Sequence, residues 1–382
     1  MMDFDWTEEQ RTYHDVVASF ARDRLTDDVL GRDAEHAFSV AAWRECAEIG
    51  IQGLPVPEEY GGSGADAMTI MLALEALGYG CKDNGLIFAL NAQMWACEVP
   101  LVRFGSEEQK RRHLPGLCDG STIGAQGMSE PESGSDAMSL TTTAEKRGDG
   151  YVLNGRKTFV TNAPEADFLL VYASTDPGMG FAGLSAFLIG RGTRGLSIGQ
   201  PLEKMGLRTS SMSELFLDDC EIAKEQLLGK PGSGMAIFNV AMQWERSCIL
   251  ASTVGAMQRQ LERCITYARE RRQSGKPIGK FQAVSHRIAD MKVRLETARL
   301  LIYRLAWLLE RGAARPHDAA LAKLYLSECY LQSSLDALQV HGGYGYMAEY
   351  ELEREVRDAV GTRIHSGTSD IQRNIIAGSL GL

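Results

Sequence analysis

The chain has 382 residues, 44% hydrophobic and 24% charged, which suits a soluble globular protein of two or three domains. Its formal net charge of −10 argues against general nucleic-acid binding, which needs a basic face. The longest charge-free runs, such as residues 84–97, reach fourteen residues and include Asn and Gln, so no membrane span is expected.

Met1-Met2-Asp3-Phe4-Asp5 is acidic and lacks the basic start and apolar run of a secretory signal. The eight cysteines are scattered, no two closer than sixteen residues, so no CxxC metal or redox pair exists. Reduced thiols in a cytoplasmic protein are the expectation. No His pair has ligand spacing either, and no metal is expected.

Thr7-Glu8-Glu9-Gln10 is a capping box that opens a helix with a stripe of Val16, Val17, Phe20 and Leu25. A second helix is predicted from Ser39 to Ile49. Leu54-Pro55-Val56-Pro57 and Gly61-Gly62-Ser63-Gly64 break the pattern. Helices resume over residues 66–78 and 84–104, and Ser106-Glu107-Glu108-Gln109 is a second capping box. After Gly120 the texture changes. Thr141-Thr142-Thr143 has strand propensity, and Asp149-Gly150 and Asn154-Gly155 suit hairpin turns. Residues 168–173, 184–189 and 214–217 are short apolar or alternating runs. Helical patterns return over about 235–272, 281–311 and 318–340, with a final pair beyond Tyr346. The order predicts an α+β chain of three modules: an N-terminal α-helical domain (1–121), a middle antiparallel β domain (122–232) and a C-terminal four-helix bundle (233–382).

On the pattern beginning at Gly234, the helix face through Glu245 holds Phe238, Ala241, Met242, Cys248, Ile249 and Ser252. A carboxylate on such a face loses hydration, which raises its pKa. It has either a hidden ion partner or a proton-transfer task. Arg246 lies about 100° round the helix and is a poor partner.

The densest unusual segment is Met128-Ser129-Glu130-Pro131-Glu132-Ser133-Gly134-Ser135-Asp136, whose hydroxyls and free amides can bond phosphate or the polar edge of a flavin. A solvated Ser/Gly loop is the alternative. No Walker A loop or GxGxxG turn occurs here. Beside Asn154-Gly155-Arg156-Lys157-Thr158-Phe159-Val160-Thr161-Asn162, Leu202-Glu203-Lys204-Met205-Gly206-Leu207-Arg208, Gln339-Val340-His341-Gly342-Gly343-Tyr344-Gly345 and Gly367-Thr368-Ser369-Asp370-Ile371-Gln372-Arg373, the segment is informative. With Pro57-Glu58-Glu59-Tyr60-Gly61-Gly62 and Phe104-Gly105-Ser106-Glu107-Glu108-Gln109-Lys110, the motifs span the chain in order. The sequence resembles the acyl-CoA dehydrogenase family of flavoproteins.

That resemblance implies FAD. It assigns Met128, Ser129, Gly134 and Ser135 with Phe159 and Thr161 to the isoalloxazine and pyrophosphate. It assigns Arg271, Ser274 and Gln282 to the adenine end, with Gln339, Gly342 and Gly343 supplied across a subunit interface, so a homodimer or homotetramer is expected. Thr368 and Asp370 lie where the last helix meets the cofactor. Phe159 stands where the family commonly has Trp, and Ser274 where it commonly has Phe. The important departure is Ser366, where most members carry the catalytic Glu. A hydroxyl cannot remove a weakly acidic α-proton unaided. A minority branch places the Glu on the helix where Glu245 falls. Glu245 is then the base, the amide of Ser366 or Gly367 helps to hold the thioester oxygen, and hydride goes to flavin N5.

Gln243-Trp244-Glu245-Arg246-Ser247-Cys248 and Ile364-His365-Ser366-Gly367-Thr368 are most similar to a secondary-metabolism branch that oxidises acyl groups on a peptidyl carrier protein. Its best-known members turn L-prolyl-carrier protein into pyrrolyl-2-carboxyl-carrier protein in two oxidations. Arg269, Arg271, Arg272, Lys276 and Lys280 are a candidate docking patch for an acidic carrier, a cofactor contact or a plain solvated face. The electron acceptor would be an electron-transfer flavoprotein or oxygen. The competing readings are a short- or branched-chain acyl-CoA dehydrogenase of the isovaleryl type and a flavin-binding homologue without dehydrogenase chemistry.

Overall fold

The computed structural model describes residues 6–25 and 28–382. The acidic residues 1–5 read above lie outside that description. The first helices are α1 (Glu8–Arg24), α2 (Val29–Glu35), α3 (Val40–Glu48), α4 (Ala67–Gly80) and α5 (Asn84–Gln93). A π turn (Met94–Glu98) joins α5 to α6 (Val99–Phe104), and α7 (Glu107–Cys118) follows. Both expected capping boxes are formed, at Thr7/Gln10 and Ser106/Gln109. The short α2, capped by Asp28, has no apolar period and was not expected from sequence. The stretch Asn84–Phe104 is long and apolar enough for a membrane span by length and composition, but its most apolar window is 83% buried inside the protein. It is a core element interrupted by the π turn.

The middle segment holds β1 (Gly124–Gly127), β2 (Thr143–Arg147), β3 (Gly150–Thr161), β4 (Phe168–Ser174), β5 (Leu184–Gly190), β6 (Leu196–Ile198), β7 (Met212–Ile222) and β8 (Leu227–Leu228). They form one sheet in the order β6-β7-β3-β2-β4-β5-β8, with β1 beside β4. Most pairs are antiparallel as expected, but β1 and β2 each meet β4 in parallel, so the sheet is mixed. The Asp149-Gly150 hairpin joins β2 to β3. Asn154-Gly155 is no hairpin turn: it lies inside β3, where the register with β7 shifts between Leu153 and Gly155. A bulge accommodates the pair as readily as a turn, because both need one residue out of ladder register. Strand β4 is buried on both faces, Leu170 and Tyr172 in one core and Leu169 and Val171 in another. That explains its unbroken apolar run.

The C-terminal part contains α8 (Gly234–Cys248), α9 (Ala251–Glu270), a hairpin of β9 (Arg272–Gln273) and β10 (Lys276–Pro277), α10 (Gln282–Glu310), α11 (Pro316–His341), α12 (Leu352–Gly361) and α13 (Ser369–Ser379). The pattern over 235–272 is therefore two helices. Ser247 Oγ bonds back to Gln243 O and Thr253 Oγ1 to Leu250 O, and such bonds compete with the helix ladder near the break at Ile249-Leu250. One hydrophobic core includes Trp43, Leu74 and Trp95 from the N-terminal helices and Met257, Leu295 and Leu326 from the bundle. The two helical ends of the chain thus fold against each other. Helices α4 and α9 touch backbone to backbone: a Cβ on Gly78 would stand 1.9 Å from Ser252 O, and one on Gly255 2.0 Å from Glu75 O. This close crossing fixes α9, and through the break at Leu250 the end of α8 that carries Glu245.

Candidate active site

The face of α8 chosen from sequence is buried. Ala241 and Cys248 are 0% exposed and Glu245 is 9% exposed. Glu245 makes no ion pair among the described residues. Its Oε1 accepts a hydrogen bond from Ser366 Oγ at 2.5 Å. Burial raises the Glu245 pKa above the ordinary carboxylate value; the Ser366 bond and the charges of Arg246 and Lys323 oppose that rise. The side chain of Arg246 turns instead to the loop, its Nε donating to Ser366 O at 3.2 Å.

That loop is held in an unusual shape. Ser366 (φ 58) and Gly367 (φ 87) are consecutive left-handed residues. Gln372 Nε2 donates to both carbonyls, 3.3 Å to Ser366 O and 2.8 Å to Gly367 O. Lys323 Nζ, fully buried, donates to Gly367 O at 2.8 Å. Burial lowers the Lys323 pKa to about 8. With the carbonyls tied down, the amides of Ser366 and Gly367 have no hydrogen-bond partner within the described residues. His365 Nδ1 lies 3.1 Å from Ser366 Oγ, and its ring packs 4.7 Å from that of Phe88. On the opposite flank Trp244 stacks on Trp95 of the π turn, centroids 6.1 Å apart and planes 14° off parallel. Glu245 itself is withdrawn from solvent beside this loop.

Residues 129–136 are supported from beneath by a pair that sequence reasoning did not single out. Lys157 on β3 and Glu130 meet at 2.7 Å with side chains 0% and 1% exposed. Burial would raise Glu130, but the Lys157 ammonium outweighs it, with hydrogen bonds from Lys157, Thr141 and Thr142, and the carboxyl is held at about 2. Lys157 Nζ also reaches Met128 O, and Thr158 N donates to Ser129 O at 2.9 Å, so β3 and the loop are stapled together. Phe159 stands out from this platform with φ 56 and 66% exposure. Gly134 and Ser135 are exposed, and nothing lies within 4 Å of a Cβ built on Gly134. Thr161 ends β3.

Arg271, Ser274, Gln282, Gln339, Gly342 and Gly343 occupy a second place, away from the loop that carries Ser366 and Thr368. Arg271 follows α9, makes no ion pair among the described residues, and lies 5.3 Å from the ring centroid of Tyr344. Ser274 (φ 48) turns the β9–β10 hairpin, and Gln282 begins α10. Gly342 closes α11, its amide bonded to Gln339 O, and Gly343 follows it, both exposed. In the basic cluster Arg272 Nη2 bonds Gly275 O and Lys276 stacks on Phe281. Thr368 caps α13 through a bond from Ile371 N, and the exposed Asp370 pairs with Arg373 at 3.0 Å. An exposed aromatic, free loop amides, an unpaired Arg and an open Gly-Gly fit an aromatic dinucleotide with a pyrophosphate.

Two further buried charges were readable but missed. Glu98 is flanked on its helix face by Met94, Trp95, Leu101 and Val102, the same signature that singled out Glu245. It is fully buried, bonded by Gln93, and burial pushes its carboxyl up to about 8. Lys323, between Ala319, Ala320, Leu326 and Ser327, shows the pattern again with the opposite charge.

Three family descriptions cover nearly the whole chain: acyl-CoA dehydrogenase N-terminal domain (residues 7–121), middle domain (125–220) and C-terminal domain (232–381). The L-prolyl-[peptidyl-carrier protein] dehydrogenase of Pseudomonas fluorescens is 44% identical over 382 residues, covering 100% of both chains. Among solved structures, the prolyl acyl carrier protein oxidase AnaB is 48% identical with a TM-score of 0.97, over 99% of this chain and 100% of that one. PigA with FAD and proline is 43% identical with a TM-score of 0.97, over 100% of both.

Proposed function

The chain belongs to the acyl-CoA dehydrogenase family, and we propose that within it the enzyme oxidises L-prolyl-carrier protein to pyrrolyl-2-carboxyl-carrier protein in secondary-metabolite biosynthesis. It is an FAD-dependent oxidoreductase acting on a CH–CH bond. The observation that carries the reading is Glu245: a buried carboxylate with no ion partner among the described residues, bonded to Ser366 where most relatives hold their base.

FAD, when bound, supplies the acceptor for the β-hydride. Met128, Ser129, Gly134 and Ser135 with Phe159 and Thr161 would hold its isoalloxazine and pyrophosphate, with Thr368 and Asp370 at the last helix. Arg271, Ser274, Gln282, Gln339, Gly342 and Gly343 hold its adenine end. The amides of Ser366 and Gly367 face the thioester oxygen and stabilise charge that develops there as the α-proton leaves. Glu245 takes that proton at its carboxylate. The raised pKa brings it nearer to the acidity of its task, and its burial keeps bulk water from competing.

A homodimer or homotetramer completes the cofactor site between subunits. Support comes from Val293, Leu300, Leu321 and Tyr325, exposed apolar residues on α10 and α11. Module boundaries at 121/122 and 232/233 follow the change from α7 to β1 and the start of α8. The cytoplasm suits eight cysteines that are all free and buried. An electron-transfer flavoprotein or oxygen takes the electrons onward.

Mixing the FAD-loaded enzyme with L-prolyl-carrier protein and, separately, with acyl-CoA esters distinguishes the substrates. Flavin absorbance bleaches with the prolyl thioester. Bleaching by the CoA esters alone would identify an isovaleryl-type acyl-CoA dehydrogenase instead.

A further inference from the structure

A prolyl ring that becomes a pyrrole gives up hydrogen in two successive oxidations. One carboxylate that has taken a proton in the first round cannot act again until it is emptied, and substrate and cofactor cover its open side. Glu245 is buried, and among the described residues its side chain has one hydrogen-bond partner, Ser366. Ser366 Oγ is in turn 3.1 Å from His365 Nδ1. His365 lines a cavity of about 30 Å³ together with Asn84, Thr253, Tyr330 and Asp358. A space of that size accepts a water, and those side chains give it polar partners. Asn84 Nδ2 bonds Asp358 at 2.9 Å and Tyr330 at 3.3 Å, so the polar wall is itself connected.

We infer that Ser366 and His365 form a relay that carries the α-proton from Glu245 to this cavity and so restores the base between oxidations. The inference rests on Glu245 being the base. With His365 as its Nε2–H tautomer, the Oε–H of protonated Glu245 breaks as a new O–H forms on Ser366 Oγ. The original Ser366 hydroxyl proton passes to His365 Nδ1, and the Nε2 proton leaves to water. His365 is then the Nδ1–H tautomer donating to Ser366, which donates to the Glu245 carboxylate as it does in the structure; the imidazole regains its Nε2–H form by proton exchange with cavity water, which resets the relay for the next round. The imidazole passes the proton and does not store it, because burial and the nearby Lys323 charge hold its pKa down at about 3. This gives Ser366 a task at the position where most relatives keep a carboxylate. In this task the Ser366 hydroxyl acts through Glu245 and needs no contact with substrate.

The test follows proton and electron separately. FAD-loaded enzyme is mixed rapidly with L-prolyl-carrier protein in weak buffer containing a pH-indicator dye, and flavin absorbance is recorded alongside. In the unsubstituted enzyme, proton release keeps step with bleaching. In His365→Gln and in Ser366→Ala, release falls about tenfold or more behind bleaching, and in His365→Ala, with oxygen or another electron acceptor supplied to reoxidise the flavin, added imidazole speeds the second oxidation. Release that keeps pace in both Gln and Ala variants overturns the relay. So does a slowing of bleaching and release by the same factor, which is what loss of mere packing would give. Should His365→Gln fail to fold, Ser366→Ala interrupts the same link with a smaller change. Glu245→Gln separates the two layers: normal bleaching there defeats the base assignment itself, whereas no bleaching there with normal release in His365→Gln defeats the relay alone.

Discussion

Glu130 and Glu245 are both carboxylates withdrawn from water, and they end in opposite states. Glu130, under the loop of the β domain, meets a buried ammonium and backbone and hydroxyl donors, and is held at about 2. Glu245, on a bundle helix, meets one hydroxyl, and burial raises its pKa. Burial alone therefore does not mark a reactive carboxylate. What distinguishes the two is the partner set. A carboxylate given a full complement of donors is a strut, and one left short of them keeps basicity to use.

The comparison can be broken at its structural end first. Glu130→Gln leaves the Lys157 ammonium buried without its counter-charge, a loss of about 3–5 kcal/mol in urea unfolding, and the loop above it should release FAD more readily. The double variant Glu130→Gln/Lys157→Met should recover part of that loss, since no unpaired charge remains. Stability unchanged by Glu130→Gln would remove the strut from the account.

At the reactive end, Ser366→Ala sharpens the contrast. The Ser366 bond favours the charged form of Glu245, so deleting it raises the Glu245 pKa further. As the proposed base, Glu245 works only when ionised, so the acid limb of the bleaching-rate profile moves to higher pH. The rate near neutrality falls a few-fold or more. An acid limb that stays in place, or moves to lower pH, contradicts the assigned bond.

The smallest effect is the most diagnostic of the difference. Glu245→Gln should leave unfolding stability unchanged or raise it by about 1 kcal/mol, because it removes an incompletely compensated buried charge. A loss of several kcal/mol would mean that Glu245 is a strut like Glu130.

Much of this was legible in the residues. Periodicity located the long helices, both capping boxes formed where the spacing placed them, and the apolar face around Glu245 is buried. The pattern over 235–272 ran through the break at Ile249-Leu250, because no Gly or Pro marks it and the hydroxyl back-bonds are invisible to an apolar period. Asn154-Gly155 carries a turn signature, yet pairing with β7 turned it into a bulge. Lys157 and Glu130 stood inside quoted motifs but are far apart in sequence, and only the fold shows that they meet. Glu98 and Lys323 were readable by the same face argument as Glu245. The Ser366–Glu245 contact spans 121 positions and could not be read from local pattern at all.

The most direct measurement is single-turnover flavin reduction in Glu245→Gln holoenzyme mixed with L-prolyl-carrier protein. FAD should remain bound and the bleaching rate should fall by about a thousandfold or more, in the range of a lost general base. Reduction at the rate of the unsubstituted enzyme would contradict the assignment of Glu245 as the base.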